Sequence, residues 1–229
     1  MEEKEKKERL RLTNVKNAAA AIAIKRSYAS PQRVVIATSN AGKVKEFHAI
    51  LKDSAFSFFV SKDLGFTEDI EESASSFEGN AELKAQALWR YISGKFSDYW
   101  VIADDSGLEV RALGGRPGVL SARYAGENAT NVERYTKLLR ELEGEANRSA
   151  RFVCCLCLIR PGKEPEFFEG ECKGAILTEP RGTGGFGYDP VFLPEGESRS
   201  FGEISEEEKN SMSHRANAIK NMLEYLEDN

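Results

Sequence analysis

The stretch "VIADDSGLEV", residues 101–110, sets two adjacent carboxylates, Asp104 and Asp105, between an apolar run and a Ser-Gly pair. The apolar residues ahead of them predict a buried strand, and Asp-Ser-Gly is turn chemistry. Residues 100–103 therefore read as a strand that ends at the two aspartates. Two negative charges there have a plain explanation, turn formation, and a chemical one, the holding of a metal ion or a water molecule.

On the N-terminal side, "RVVIATS" (33–39) is a β-branched run that fits another buried strand. "NAGK" (40–43) follows, then a helical pattern with Val44, Phe47, Ile50 and Leu51 on one face. "FSFFVS" reads as a strand, and residues 63–76 are acidic and loop-like. From Phe77 to about Tyr91, Ala81, Ala85, Leu88 and Ile92 fall at helical spacing. On the C-terminal side, residues 130–143 read as a helix with Asn128, Thr130 or Asn131 as its cap. "ARFVCCLCLIR" is apolar on both faces and reads as a central strand. It forms a hairpin with "PEFFEGECKGAILTEP" across "PGKE". A glycine-rich loop and a closing helix over 213–226 complete the pattern. The fold class is α/β, mixed, with helices around one long twisted sheet and a cleft.

The first 32 residues are charged, then alanine-rich, and stop at Pro31. They form a separate extension, helical or flexible, and the domain proper spans 33–229. Glu2, Glu3, Glu5 and Glu8 argue against a signal or transit peptide. The alternative is a helix that docks Ala20, Ile22 and Ile24 on the domain or on a partner.

A formal net charge of −5 argues against a broad nucleic-acid grip, and no apolar run is long enough to span a bilayer. Of the four cysteines (Cys154, Cys155, Cys157, Cys172), only Cys154 and Cys157 stand with two residues between them, inside an apolar run and without the second C-x-x-C pair of a zinc site. They read as small buried hydrophobes in a reducing compartment.

Three further stretches carry chemistry-bearing residues. In "ATSNAGK", a strand runs into Thr38, Ser39, Asn40 and Gly42 just before a helix start, where backbone N–H groups bind phosphate oxygens. Lys43 adds a cation. The Walker pattern is absent, and an ordinary strand–helix turn is the alternative. "GTGGFGYDP" surrounds Phe186 and Tyr188 with glycines, which suits a loop lying on a flat ring or, as readily, a tight loop with two core aromatics. "KNSMSHRANAI" opens the last helix with His214 and Arg215, whose N–H donors suit a base-edge carbonyl. An exposed helix start is the other reading, and His48 reads as a surface residue.

Taken in order, "ATSNAGKVKEF", "ADDSGLEVRALGGRPGVLSARYAG", "GTGGFGYDPVFLP" and "FGEI…EEKNSMSHRANA" resemble the inosine triphosphate pyrophosphatase family, also called XTP/dITP diphosphatases. The resemblance covers residues 33–226. It implies two lobes around a central substrate cleft, a homodimer, a cytoplasmic location, and Mg²⁺-dependent hydrolysis of ITP, dITP or XTP to the monophosphate and pyrophosphate. By this resemblance Asp105 is the catalytic carboxylate, with Ser106 beside it at the substrate. Thr38, Ser39, Asn40, Gly42 and Lys43 form the phosphate loop, and Lys84 contacts substrate. Phe186, Gly187, Tyr188 and Asp189 form the base-side loop, Lys209 is a closing cation, and His214 and Arg215 read the base. Glu72 and Asp105, with Asp104 as a further candidate, hold the metal. The chain reads "ESASSFEGN" where the family has Glu-Thr-Gly and Phe-x-Glu-Asn, so Glu71 and Glu78 stand as alternatives to Glu72. "YISGKFSDYW" also makes a longer link than the family has. Two other functions remain open: a nucleotide-binding sensor without catalysis, and a house-cleaning pyrophosphatase for other modified nucleotides.

Overall fold

The computed structural model describes residues 31–52 and 54–229. The helix expected within the N-terminal extension lies outside them. Six strands form one mixed sheet in the order β2-β1-β3-β4-β5-β6, with β1 Gln32–Ile36, β2 Phe56–Val60, β3 Trp100–Val110, β4 Ser149–Ile159, β5 Glu166–Ile176 and β6 Phe192–Pro194. β1 runs parallel to β2 and β3, and the other pairings are antiparallel. The helices are α1 Ala41–Leu51, α2 Phe77–Ile92, α3 Asn131–Glu141, α4 Glu206–Asn210 and α5 His214–Asp228.

β3 does not stop at the aspartates. Its ladder with β4 continues from Val101↔Ile159 through Asp104↔Leu156 and Asp105↔Cys155 to Val110↔Ala150. The expected strand end is thus corrected: the antiparallel partner holds the backbone extended through a sequence with turn propensity, and pairing overrides the local preference. The strand that ends here is β1, whose register with β3 stops at Ile36↔Ile102. Asp104 and Asp105 therefore lie just past the carboxyl end of a parallel strand, beside the turn from β1 into α1. Crevices outside such strand ends are where open α/β sheets bind ligands.

Helices cover both faces. Ala81, Ala85, Leu88 and Ile92 of α2 pack with Val35, Val101, Ala103 and Cys157. On the other face Phe47 and Leu51 of α1 and Ala218, Ile219 and Met222 of α5 pack with Ile36, Ile102 and Leu156. β4 is consequently buried on both sides, as its unbroken apolar run requires. Burying such a side chain contributes on the order of 1.5–3 kcal/mol. All four cysteines are free and buried, and burial pushes the thiols of Cys155, Cys157 and Cys172 up to about 12. They stay protonated and act as packing. The long link before β3 turns Phe96 and Tyr99 against each other, ring centroids 4.9 Å apart, and stacks Tyr99 on Phe59.

Local chemistry fixes the helices that bear on the site. Asn40 caps α1, Ser76 caps α2, Thr130 and Glu133 form a capping box on α3, and Ser213 caps α5. The first turn of α5 lies directly on β5 at Gly170, where a Cβ would stand 2.8 Å from Ala218 Cα. That close approach sets His214 and Arg215 against the sheet.

Candidate active site

Successive residues of a strand face opposite sides, so β3 sends its two carboxylates apart. Asp105 faces α2. Lys84 Nζ lies 3.0 Å from Asp105 Oδ1 and 2.8 Å from Glu72 Oε1. Asn80, one helical turn before Lys84, donates its Nδ2 to Asp105 Oδ2 at 3.2 Å and accepts the Ala74 N–H at 2.9 Å. The loop bearing Glu72 is thereby tied to Asp105. Burial pushes the Asp105 carboxyl up, and despite the pull of Lys84 and Lys43 it sits above the usual range. Burial works against the Lys84 ammonium, but Asp105, Asp104 and Glu72 more than offset it and hold its pKa up.

Asp104 faces α1 and α5. Arg215 donates to its Oδ2 from Nη2 at 2.8 Å and from Nε at 3.1 Å, and the Cys154 thiol lies 3.7 Å from the same oxygen. Its Oδ1 is 3.0 Å from Lys43 Nζ, an ion pair without hydrogen-bond alignment. Burial would raise this carboxyl, yet Lys43 and Arg215 hold it well below the usual carboxylate range. Arg215 also pairs with Glu46 and donates to Ser106 Oγ at 2.9 Å. Glu46 accepts from Lys209 at 2.8 Å, and Lys209 reaches Asp189 at 2.6 Å. Lys43, Asp104, Arg215, Glu46, Lys209 and Asp189 thus form one line of alternating charge beneath the site. Burying ions is costly unless each is paired, and here each has an opposite neighbour.

Above these networks lies a cavity of about 840 Å³. It is lined by every residue that the resemblance assigns to the site except Gly42 and Asp104, and by Glu72 but not its alternatives Glu71 and Glu78. Both exceptions have a reason. Asp104 is 1% exposed, and both of its oxygens face protein cations. Gly42 backs onto Phe186, whose ring would stand 2.7 Å from a Cβ there. Its small size therefore admits an aromatic ring.

The N–H groups before α1 are not left open either. Asn40 Oδ1 accepts from Gly42 N at 2.9 Å and Lys43 N at 3.2 Å, and Thr38 Oγ1 accepts from Asn40 N. In the glycine-rich loop, Asp189 is buried and its Oδ2 accepts the Phe186 N–H at 2.7 Å. Tyr188 is buried with its hydroxyl donated to Ser121 O at 2.8 Å. Phe186 is the ring left partly open to the cavity, with Lys209 Nζ 4.7 Å from its centre.

Arg215 differs from the expected open donor. Four N–H···O contacts go to Asp104, Glu46 and Ser106, out of five donors on a guanidinium. His214 stacks on Phe152, centroids 4.8 Å apart at 14°. Its Nδ1 is buried without a hydrogen-bond partner. Burial, then Arg215 and Lys209, drive its pKa well below the usual value, so the ring is neutral. His48 is exposed on α1, as read from the sequence.

Two residues of the site were missed in the sequence. Glu46 is a carboxylate next to Phe47 on the inward face of α1, three residues after Lys43, so its place in the pattern was the available signal. Asn80 precedes Lys84 by four positions and shares its stripe of α2 with Ala81 and Ala85.

A model of the Ham1 family matches residues 34–225. A dITP/XTP pyrophosphatase of Bacillus licheniformis is 48% identical over 198 residues, covering 86% of this chain and 98% of that protein. One of Bacillus subtilis is 46% identical with the same coverage. Among solved structures, the Ham1 protein of Staphylococcus aureus superposes with a TM-score of 0.76 at 40% identity, over 86% of this chain and 99% of that one. With the sheet, the ordered site and these matches in agreement, the chain belongs to the Ham1 family.

Proposed function

We propose that this chain hydrolyses the non-canonical purine nucleoside triphosphates ITP, dITP and XTP to the monophosphate and pyrophosphate, clearing them from the nucleotide pool. The observation that carries the reading is the convergence of Asp105, Lys84 and Lys43 on one cavity. It is supported by relatives named dITP/XTP pyrophosphatase at 46–48% identity.

Among the described residues, no three His, Cys, Asp or Glu side chains form a ready metal cluster. Glu72 and Asp105 nevertheless both reach one ammonium within 3.0 Å, so their oxygens face a common cation position. An all-oxygen donor pair suits Mg²⁺ completed by phosphates and waters, and Glu72 with Asp105 would hold it. When bound, the ion would neutralise phosphate charge and favour attack on phosphorus.

Asp105, poised by burial, orients a water and accepts its proton. The water oxygen bonds to the α-phosphorus, and the α–β bridging bond breaks. Pyrophosphate departs with the bridging oxygen, and Lys43, Lys84 and Lys209 stabilise the charge that develops. Thr38, Ser39, Asn40 and Ser106 offer polar contacts around the phosphates. Phe186, carried by Gly187 and braced by Asp189 and Tyr188, lies against the base. His214, with the remaining donor of Arg215, faces O6 of hypoxanthine or xanthine. Adenine places an amino group at that position, which leaves site donors unpaired and is rejected on that account.

The proposed assembly is a homodimer and the proposed compartment the cytoplasm, on the family resemblance. The free thiols agree with a reducing compartment, and no described helix is long and apolar enough to cross a membrane.

The test is pyrophosphate release from ITP, XTP, dITP, GTP, ATP and dTTP, with Mg²⁺ and with EDTA. Metal-dependent release from the first three, with ATP and dTTP nearly untouched, is the expected result. Release from dTTP instead would transfer the reading to other modified nucleotides, and no release at all would leave a binding protein.

A further inference from the structure

We propose that Lys84 is a place-holder cation that keeps the Glu72–Asp105 pair closed to free metal until a nucleotide draws the lysine away. The inference rests on the metal pair assigned above and goes beyond it. Lys84 Nζ stands between the two carboxylates, 2.8 Å from Glu72 Oε1 and 3.0 Å from Asp105 Oδ1. Asp105 Oδ2 is taken by Asn80. Both Asp105 oxygens therefore have donors in the free chain, and a metal ion placed between the two carboxylates must displace the ammonium that stands there. The Asp105 side chain is 6% exposed and that of Lys84 13%, so water screens their attraction poorly.

An ammonium and a divalent ion cannot share one position, because they repel and compete for the same lone pairs. The lysine has somewhere else to go. Its stem is long and flexible, it rises from rigid α2, and it lines the same cavity as Lys43. A triphosphate there offers it several phosphate oxygens. Moving Lys84 onto phosphate vacates the carboxylate pair as the metal arrives. Metal and nucleotide should then each tighten the binding of the other, since such coupling is reciprocal. Free metal would be held weakly, and the site would assemble only around substrate.

The probe is Mn²⁺, titrated by calorimetry or electron spin resonance into the full chain without substrate. It is then titrated with an inosine triphosphate analogue whose α–β bridging oxygen is a methylene group. Lys84→Gln is expected to bind Mn²⁺ about tenfold or more tighter than wild type, within the usual range of coupling. Lys84→Arg, which keeps the cation, should bind as weakly as wild type. The analogue should tighten Mn²⁺ binding strongly in wild type and far less in Lys84→Gln. Circular dichroism and thermal unfolding establish that each variant is folded, and Lys84→Met serves if the glutamine variant is not. The proposal is overturned if folded Lys84→Gln and Lys84→Met bind Mn²⁺ no tighter than wild type, or if the analogue leaves wild-type Mn²⁺ binding unchanged. Its failure is separable from failure of the proposed function, because Mn²⁺ binding needs no turnover. If Glu72→Gln added to Lys84→Gln leaves Mn²⁺ binding tight, the metal pair itself is misassigned, whatever the chain hydrolyses.

Discussion

Arg215 opens the last helix, and Asp104 lies 111 residues earlier in the middle of the sheet, yet two nitrogens of the guanidinium share one oxygen of that carboxylate. Both side chains are at most 1% exposed. The pair joins α5 to β3 at the floor of the cavity, and through Glu46 it joins α1 as well. Removing one member of a buried pair leaves the other charge uncompensated. Arg215→Met is therefore expected to destabilise the fold by about 3–5 kcal/mol, and Asp104→Ala by a similar amount. Chemical denaturation checks this, with a lowered midpoint expected for both variants.

The same pair sets a pH dependence. The folded pKa of Asp104 lies well below its unfolded value of about 3.9, and that of Glu46 is also lowered, Arg215 and Lys209 overcoming its burial. Below about pH 4 the unfolded chain therefore binds protons that these groups in the folded chain refuse. Their contribution is fully present above the unfolded pKa and is lost as pH falls toward the folded one. Asp105 and Asp189, raised by burial, run in the opposite sense. Denaturation at pH 7 and pH 3 should show a loss of stability in wild type and a smaller loss in Asp104→Asn. An equal loss would mean that Asp104 does not carry the effect.

The two adjacent aspartates should separate by function. Asp105→Asn is expected to reduce kcat by about 10²–10⁴ with only a modest loss in thermal unfolding, because its amide oxygen can still accept from Lys84 while its amide nitrogen meets the Asn80 donor. Asp104→Asn is expected to show the larger loss of stability. Steady-state kinetics beside thermal unfolding measures both quantities, and an Asp105→Asn variant with near wild-type turnover removes Asp105 from the catalytic role.

Gly42→Ala tests the contact between α1 and the glycine-rich loop. The new methyl would stand 2.7 Å from the Phe186 ring, and the ring is free to shift toward the cavity. Alanine favours a helix over glycine by up to about 1 kcal/mol, so stability is expected to stay within about 1 kcal/mol of wild type. The measured effect should be a higher KM for ITP, from displacement of the ring proposed to meet the base.

Much of this was legible in the sequence because the fold rests on strong periodic signals. The two-faced apolar run of β4 and the four-three-four spacing in α2 each predict what forms. The end of β3 was not legible, because Asp-Ser-Gly favours a turn and the pairing that overrides it comes from residues 150–157. Nor was the inward use of Arg215. A charged residue at a helix start usually faces solvent, and only the close approach at Gly170, with Glu46 on another helix, turns it into the interior. Side chains that contact substrate and side chains that brace the site look alike in sequence. The difference lies in which partner satisfies each charge.

Hydrolysis of ITP in isotopically labelled water tests the central claim most directly, because it locates the attacked phosphorus. Mass spectrometry of the products should find the label in inosine monophosphate, with the pyrophosphate unlabelled. Label in the pyrophosphate, or release of labelled inorganic phosphate with inosine diphosphate, would contradict attack at the α-phosphate and the role given to Asp105.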